Sequence, residues 1–215
     1  MKSYIVIGLG RFGSSLATKL YECGEEVMAV DTNETIVDKI ADRVTRAVAA
    51  DARDLDVLEK LGAENFDRAI VAVGSDLAAS ALITMNLKSL NIPYIMCKAH
   101  DNTHREILEK LGADQVIIPE REVADKLALG LTHAGVLEYI ELSDEIGIVE
   151  MEPLGEWIGK TIRQLEFRTR YGANVIAIRV GDVIRIPPGI DTPITQDSIM
   201  VMLGRYEMLE KLKKK

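Results

Sequence analysis

Ile5-Val6-Ile7-Gly8-Leu9-Gly10-Arg11-Phe12-Gly13 decides the reading of this chain. An apolar run enters a Gly-x-Gly-x-x-Gly turn, and Leu16, Ala17, Leu20 and Tyr21 follow at helical spacing. That is the pattern of a phosphate-binding strand-turn-helix. Gly8 permits the tight turn, Gly10 lets backbone approach a pyrophosphate, and Gly13 lets the helix pack closely on the strand. The first helix amides then face the anion. The next apolar run, Val27 to Val30, ends in Asp31, where a carboxylate for a ribose diol belongs, about 20 residues beyond the glycines.

Outward from this unit the pattern repeats. Short apolar runs at Tyr4–Gly8, Val27–Asp31, Arg46–Ala50, Arg68–Val73, Tyr94–Lys98 and Gln115–Ile118 predict six strands. Between them lie helical spacings such as Ile36, Val37, Ile40 and Val44, or Leu55, Leu58 and Leu61. The alternation predicts an α/β fold over residues 1–120: a Rossmann-like, doubly wound parallel sheet. Gly24, Gly62 and Gly112 sit where helices end and fit left-handed caps. Glu59-Lys60-Leu61-Gly62-Ala63 returns as Glu109-Lys110-Leu111-Gly112-Ala113. The interval is too long for a repeat array, so one helix-to-strand junction is used twice.

The character changes after Pro119. Arg121 to Ala134 reads as a helix whose apolar positions, Val123, Ala124, Leu127, Ala128, Leu129 and Leu131, cover more than one face. So broad an arc calls for two partners, its own sheet and a second subunit, or marks a buried linker. Residues 121–137 are therefore read as a linker and dimerisation helix, and 138–215 as a small α+β domain. Strands are expected there at Tyr139–Leu142, Ile148–Glu152, Ala173–Val180, Val183–Ile186 and Ser198–Leu203. Gly181-Asp182 would form a tight hairpin, with short helices at Thr161–Leu165 and Tyr206–Leu212.

Of the 215 residues, 47% are hydrophobic, ample for packed cores, yet no run is long enough to span a bilayer. The start, Met1-Lys2-Ser3-Tyr4, runs directly into a strand, so a cytoplasmic location is expected. Cys23 and Cys97 have neither metal spacing nor a disulfide framework. A net charge of -8 argues against a nucleic-acid partner. The Lys213-Lys214-Lys215 run reads as a solvated helix end.

Arg11 adds a cation that the turn geometry does not require. It tilts the ligand toward ADP or ATP, with an exposed surface arginine as the alternative reading. Asp31 would accept from a ribose diol and repel a 2′-phosphate. Asp51 could approach an adenine amino group or cap the helix beginning near Asp54. Lys98 and Glu120 fall at strand ends on the crevice edge, where a carboxylate could hold a divalent cation against phosphates. His100 and His104, four apart, have no metal-spaced partner and are expected to face solvent. Gly-x-Ser-x-Gly, Gly-x-x-x-x-Gly-Lys and Cys-x-x-Cys motifs are all absent, so nothing points to catalysis.

The glycine loop, Val30-Asp31, Ala50-Asp51-Ala52, Val116-Ile117-Ile118-Pro119-Glu120 and the later Gly159-Lys160-Thr161-Ile162-Arg163-Gln164-Leu165 resemble the RCK (KTN, TrkA-type) regulatory subunits of Ktr/Trk potassium uptake systems. The resemblance covers the whole chain. It implies a cytoplasmic, dimer-based octameric ring beneath a membrane potassium-translocating subunit, activated by ATP and inactivated by ADP. The nucleotide contacts it implies are Gly8, Gly10, Arg11, Phe12, Gly13, Asp31, Asn33, Asp51, Ala52 and Lys98. Glu120 would lie near the dimer interface, where a divalent cation, Mg or Ca, can be held. In some relatives the C-terminal domain binds cyclic di-AMP. The comparable positions are Ile162, Phe167, Arg168, Asn174, Val175 and Pro188, with Phe167 standing where an aliphatic residue is expected. A plain core role for Ile162 and Phe167 stays open. The alternative function is an NAD-dependent oxidoreductase, taking NAD or NADH on the same fold.

Overall fold

The computed structural model describes residues 1–74, 76–132, 135–143, 145–205 and 207, with the side chains of 126, 129 and 130 excepted. It divides into two compact units, 1–120 and 121–215.

In the first unit six strands, β1 (Ser3–Ile7), β2 (Glu26–Asp31), β3 (Arg46–Ala49), β4 (Arg68–Val71), β5 (Ile95–Lys98) and β6 (Gln115–Ile117), form one sheet in the order β3-β2-β1-β4-β5-β6. Every pairing is parallel. The connecting helices are α1 (Arg11–Glu22), α2 (Glu34–Ile40), α3 (Leu55–Lys60), α4 (Leu77–Ser89) and α5 (Asn102–Lys110). Successive side chains of a strand point to opposite faces, so β1 feeds two cores. Ile5 and Ile7 pack with Leu58, Val71, Leu87 and Leu108 on one side. Val6 packs with Ala17, Ala29, Val37 and Ile40 on the other. The doubly wound parallel sheet expected from the alternation is the one observed.

The duplicated junction is real. Gly62 N–H donates to Glu59 O (2.9 Å) and Gly112 N–H to Glu109 O (3.1 Å), each with a positive φ. Helix starts follow side-chain caps: Asn33, Asp54, Asp76 and Asp101 each accept a backbone amide of the first turn.

A helix α6 (Pro119–Thr132) begins with proline at its first position, where a missing N–H costs nothing. Val123, Leu127 and Leu131 repeat every four residues along it and are 55%, 61% and 86% exposed. The side chain of Leu129 and the expected end at Ala134 lie outside the described residues. So do the expected helix at Tyr206–Leu212, Glu207 apart, and the terminal lysines.

The second unit is an antiparallel sheet of β7 (Val136–Glu141), β8 (Ile146–Met151), β9 (Ala173–Val180), β10 (Val183–Arg185) and β11 (Ser198–Arg205), in the order β10-β9-β11-β8-β7. Two short helices, α7 (Ile162–Leu165) and α8 (Phe167–Tyr171), meet at Glu166, whose φ is 47°. The second helix was not expected, because five residues give too few apolar repeats to read a period. Its Phe167 and Tyr171 both pack edge-on against Trp157, which is fully buried. Trp157 Nε1–H donates to Tyr171 Oη at 3.0 Å, and that hydroxyl donates to Glu156 at 2.9 Å.

Trp157→Ala should cost about 3–5 kcal/mol, because it opens a large cavity and removes the indole N–H that the tyrosine hydroxyl accepts; chemical denaturation measures this. The two thiols should also separate. Cys97 is fully buried, and burial pushes its pKa up to about 11 against the opposing hydrogen bond from Thr84. Cys23 is exposed. Since the thiolate is the reactive form, a thiol reagent at neutral pH should modify Cys23 in the native protein and Cys97 only after unfolding.

Candidate nucleotide-binding site

Beyond the carboxyl ends of β1 to β4 lies a cleft of about 350 Å³. It opens where the strand order reverses around β1, the place where open α/β sheets bind ligands. The glycine loop forms its floor, and each glycine there has a different reason. Gly8 has φ 91°, and a Cβ on it would lie 2.8 Å from Val73. A Cβ on Gly13 would lie 1.9 Å from the carbonyl oxygen of Gly8, so helix and strand meet at backbone contact. At Gly10 a Cβ would meet no atom within 4 Å. The fold has room for a side chain at Gly10, and that room is part of the cleft. Gly10 also caps α1 with no side-chain hydrogen bond, and the first turn carries no acid. The opening amides of this helix are thus left for an anion.

Asp31 ends β2 on the cleft wall. One carboxylate oxygen accepts from Leu9 N–H (2.6 Å) and the other from Asn33 N–H (2.9 Å). The acid therefore braces the loop while each oxygen keeps a lone pair. Asp51 lines the cleft beside Ala52 and is gripped side-on by Arg53, Nε at 2.9 Å and Nη2 at 2.6 Å. That hydrogen-bonded guanidinium holds the Asp51 carboxyl below the usual carboxylate range. The cap of α3 is Asp54, not Asp51, so the capping alternative for Asp51 falls away.

Gly8, Gly10, Asp31, Asp51 and Ala52 are brought together in the cleft. Asn33 is not among the lining residues; its side chain accepts from Thr35 N–H as the cap of α2. Arg11 lies on the far wall of the loop, in a separate crevice between α1 and α2. Lys98 donates to Glu120 at 2.6 Å, with its ammonium 5.8 Å from the Phe12 ring centre. The Lys98 bond, with Arg11 adding its charge, lowers the Glu120 pKa. Among the described residues no three His, Cys, Asp or Glu side chains assemble as a metal site.

Thr32, Arg53, Gly74 and Asp76 also line the cleft and were not anticipated. Gly74 and Asp76 follow β4, which borders β1 across the reversal; that strand order is the signal that would have found them.

The histidines correct an expectation. His104 is fully buried, with Nε2 at 2.7 Å from Ser80 Oγ and Nδ1 at 2.8 Å from His100. It shares the inner face of α5 with Leu108, four residues on, and Ser80 on α4 supplies the polar partner that burial demands. Burial first, then the neighbouring His100, depresses the His104 pKa. His100 is half exposed.

In the second unit a pocket of about 670 Å³ gathers Ile162, Phe167, Arg168, Asn174, Val175 and Pro188, all six positions anticipated there. Arg168 Nε–H donates to Asn174 Oδ1. Phe167 also belongs to the Trp157 core, so the plain structural role holds for it as well.

Fold and cleft together define a phosphate-loop α/β domain joined to a small antiparallel module, with a pocket in each. Residues 4–119 match the TrkA-N domain and residues 147–215 the TrkA-C domain. The chain is 38% identical over 214 residues to Ktr system potassium uptake protein C of Bacillus subtilis, covering 100% of this chain and 97% of that protein. It is 40% identical over 210 residues to Ktr system potassium uptake protein A of the same organism, covering 98% and 95%. The GsuK RCK domain shares its fold with a TM-score of 0.70 at 22% identity, over 99% of this chain and 47% of that one. The chain belongs to the TrkA/RCK family, among the regulatory subunits of Ktr potassium uptake. Those relatives are named for uptake and not for a reaction, and the oxidoreductase alternative falls with that.

The loop glycines should respond in opposite ways. Gly13→Ala should unfold the first unit or lower its Tm steeply, since backbone must move to admit the Cβ. Gly10→Val should leave Tm close to wild type while weakening nucleotide binding about tenfold or more, by filling the anion's place. Thermal melts with and without ATP read both effects.

Proposed function

We infer that this chain is a nucleotide sensor that gates a membrane potassium-translocating subunit, with ATP activating and ADP inactivating. The observation that carries the reading is the Gly10 floor: open to a side chain as far as the fold is concerned, uncapped, and set at the sheet's reversal point. Asp31 then takes the ribose diol, Asp51 an adenine amino group, and the α1 amides the phosphates. A 2′-phosphate would meet the Asp31 carboxylate, which disfavours NADP but not NAD or NADH, which lack that phosphate.

Arg11 lines the crevice on the other wall of the loop and not its own cleft, which suits contact with the terminal phosphate of a nucleotide held by a neighbouring copy. A ligand can shift an equilibrium between two ring shapes only by binding them unequally. A third phosphate within reach of a partner's Arg11 provides that inequality, and ADP lacks it. The apolar stripe Val123, Leu127 and Leu131 supports α6 as the dimer seam of an octameric ring. Among the described residues of one chain no group of three His, Cys, Asp or Glu side chains assembles to hold a cation. A Mg or Ca ion would need Glu120 freed from Lys98, phosphate oxygens, and donors from a second copy. The second-unit pocket is the proposed site for cyclic di-AMP, with Arg168 paired to a phosphate and apolar walls around the bases. No described helix is long and apolar enough to cross a membrane, and we place the protein in the cytoplasm, held to the membrane's inner face by the channel subunit.

Calorimetric titration with ATP, ADP and NADH tests the proposal. ATP and ADP should both bind, and Arg11→Ala should weaken ATP about tenfold or more, given the strength of charged hydrogen bonds, with a smaller effect on ADP. Equal loss for both nucleotides would remove the gating role of Arg11, and failure of either to bind would sink the sensor reading.

A further inference from the structure

The crevice on the far wall of the glycine loop has a volume of about 470 Å³ and shares Gly10 with the nucleotide cleft. Its floor is apolar, formed by Leu9, Ile36 and Ile40, and three cations line it: Arg11, Lys39 and Arg43. Neither Lys39 nor Arg43 pairs with a carboxylate among the described residues, although Glu34, Asp38 and Asp42 lie on the same stretch of chain; the Arg11 charge also acts on Glu120. Nor does any described carboxylate line the crevice. In a chain of net charge -8 this is a local reversal of sign.

A second, independent feature lies at the same place. Thr18 lines the crevice, is only 7% exposed, and its hydroxyl has no hydrogen-bond partner among the described residues. The neighbouring Ser14 hydroxyl, by contrast, donates to Leu9 O at 2.7 Å. Buried hydroxyls are normally paired, and an orphan one calls for an explanation. A ligand that accepts its proton supplies one.

We propose that this crevice is a second anion site, built for a small phosphomonoester. The phosphoryl oxygens meet Lys39, Arg43 and the Thr18 hydroxyl, and the organic body lies on Leu9, Ile36 and Ile40. A phosphoryl group suits the donors better than a carboxylate because it offers three terminal oxygens and a second negative charge. The apolar floor and the size of the crevice call for a body beyond bare phosphate. Lys39, Arg43 and Thr18 have no part in the nucleotide cleft, so the two sites stand or fall separately.

The test is calorimetric titration of the intact chain with phenyl phosphate and with inorganic phosphate. Phenyl phosphate should bind, and more tightly than phosphate. The Lys39→Ala/Arg43→Ala double variant should weaken it about tenfold or more through loss of charge-assisted bonds. Thr18→Val should weaken it several-fold while leaving Tm at or above wild type, because it removes a hydroxyl with no internal partner. Asp51→Asn, in the other cleft, should leave it unchanged. Absence of binding at about 10 mM phenyl phosphate, a Kd beyond any useful affinity, would overturn the proposal. Binding that survives the double variant, or that is lost in Asp51→Asn, would overturn it equally.

Discussion

The contact between the Gly8 carbonyl and Gly13 sets the geometry of everything around it. With 1.9 Å left for a Cβ, the first turn of α1 sits against the end of β1 at backbone distance. This closeness aims the helix start over the sheet's carboxyl edge, and Gly8, at φ 91°, makes the turn that delivers it. A wider approach would carry the amides of α1 away from the end of β2, and Asp31 could no longer reach Leu9 N–H at 2.6 Å. The cleft is thus a consequence of helix-to-strand packing, and the loop needs little sequence of its own beyond three glycines.

Asp31 joins that scaffold to chemistry. Its two oxygens hold Leu9 and Asn33 amides and so tie the glycine loop to the entry of α2. The same carboxylate faces the cleft with acceptor capacity left over. A carboxylate already fixed by two amides loses no rotamer freedom when a diol arrives, which favours binding by prior ordering. Asp51 is ordered in a different way, by a side-on arginine that also offsets its charge. An anionic ligand therefore meets an acid at the cleft lip without meeting a free negative charge.

The parallel sheet was legible because its signals are local: apolar runs of four or five residues, helical spacings between them, and glycines at the helix ends. Residues tied to the loop in sequence, Gly8, Gly10 and Asp31, were legible for the same reason. Arg53 and Asp76 were not, because their place in the cleft depends on which strands become neighbours, a property of strand order and not of any one segment. His104 shows the same limit. Its burial needs Ser80 on another helix, and only Leu108, four residues on, hints at it. In the second unit the expected pocket residues converge although α8 went unread, because Arg168 and Asn174 flank one corner and need only a reversal of the chain between them.

Arg11 gathers these threads. Arg11, at the first position of α1, lines the crevice between α1 and α2 and is not among the residues that line the cleft. Its guanidinium is thereby kept out of the cleft that its own loop forms, where an arginine would compete with the α1 amides for the same phosphate. It lines that crevice together with Lys39 and Arg43, and its charge also reaches Glu120. One loop consequently presents two faces of positive potential, amide dipoles on one side and fixed charge on the other. Whatever binds the outer face acts on the same backbone that cradles the inner one, and Gly10, common to both walls, is the point at which the two can be felt together.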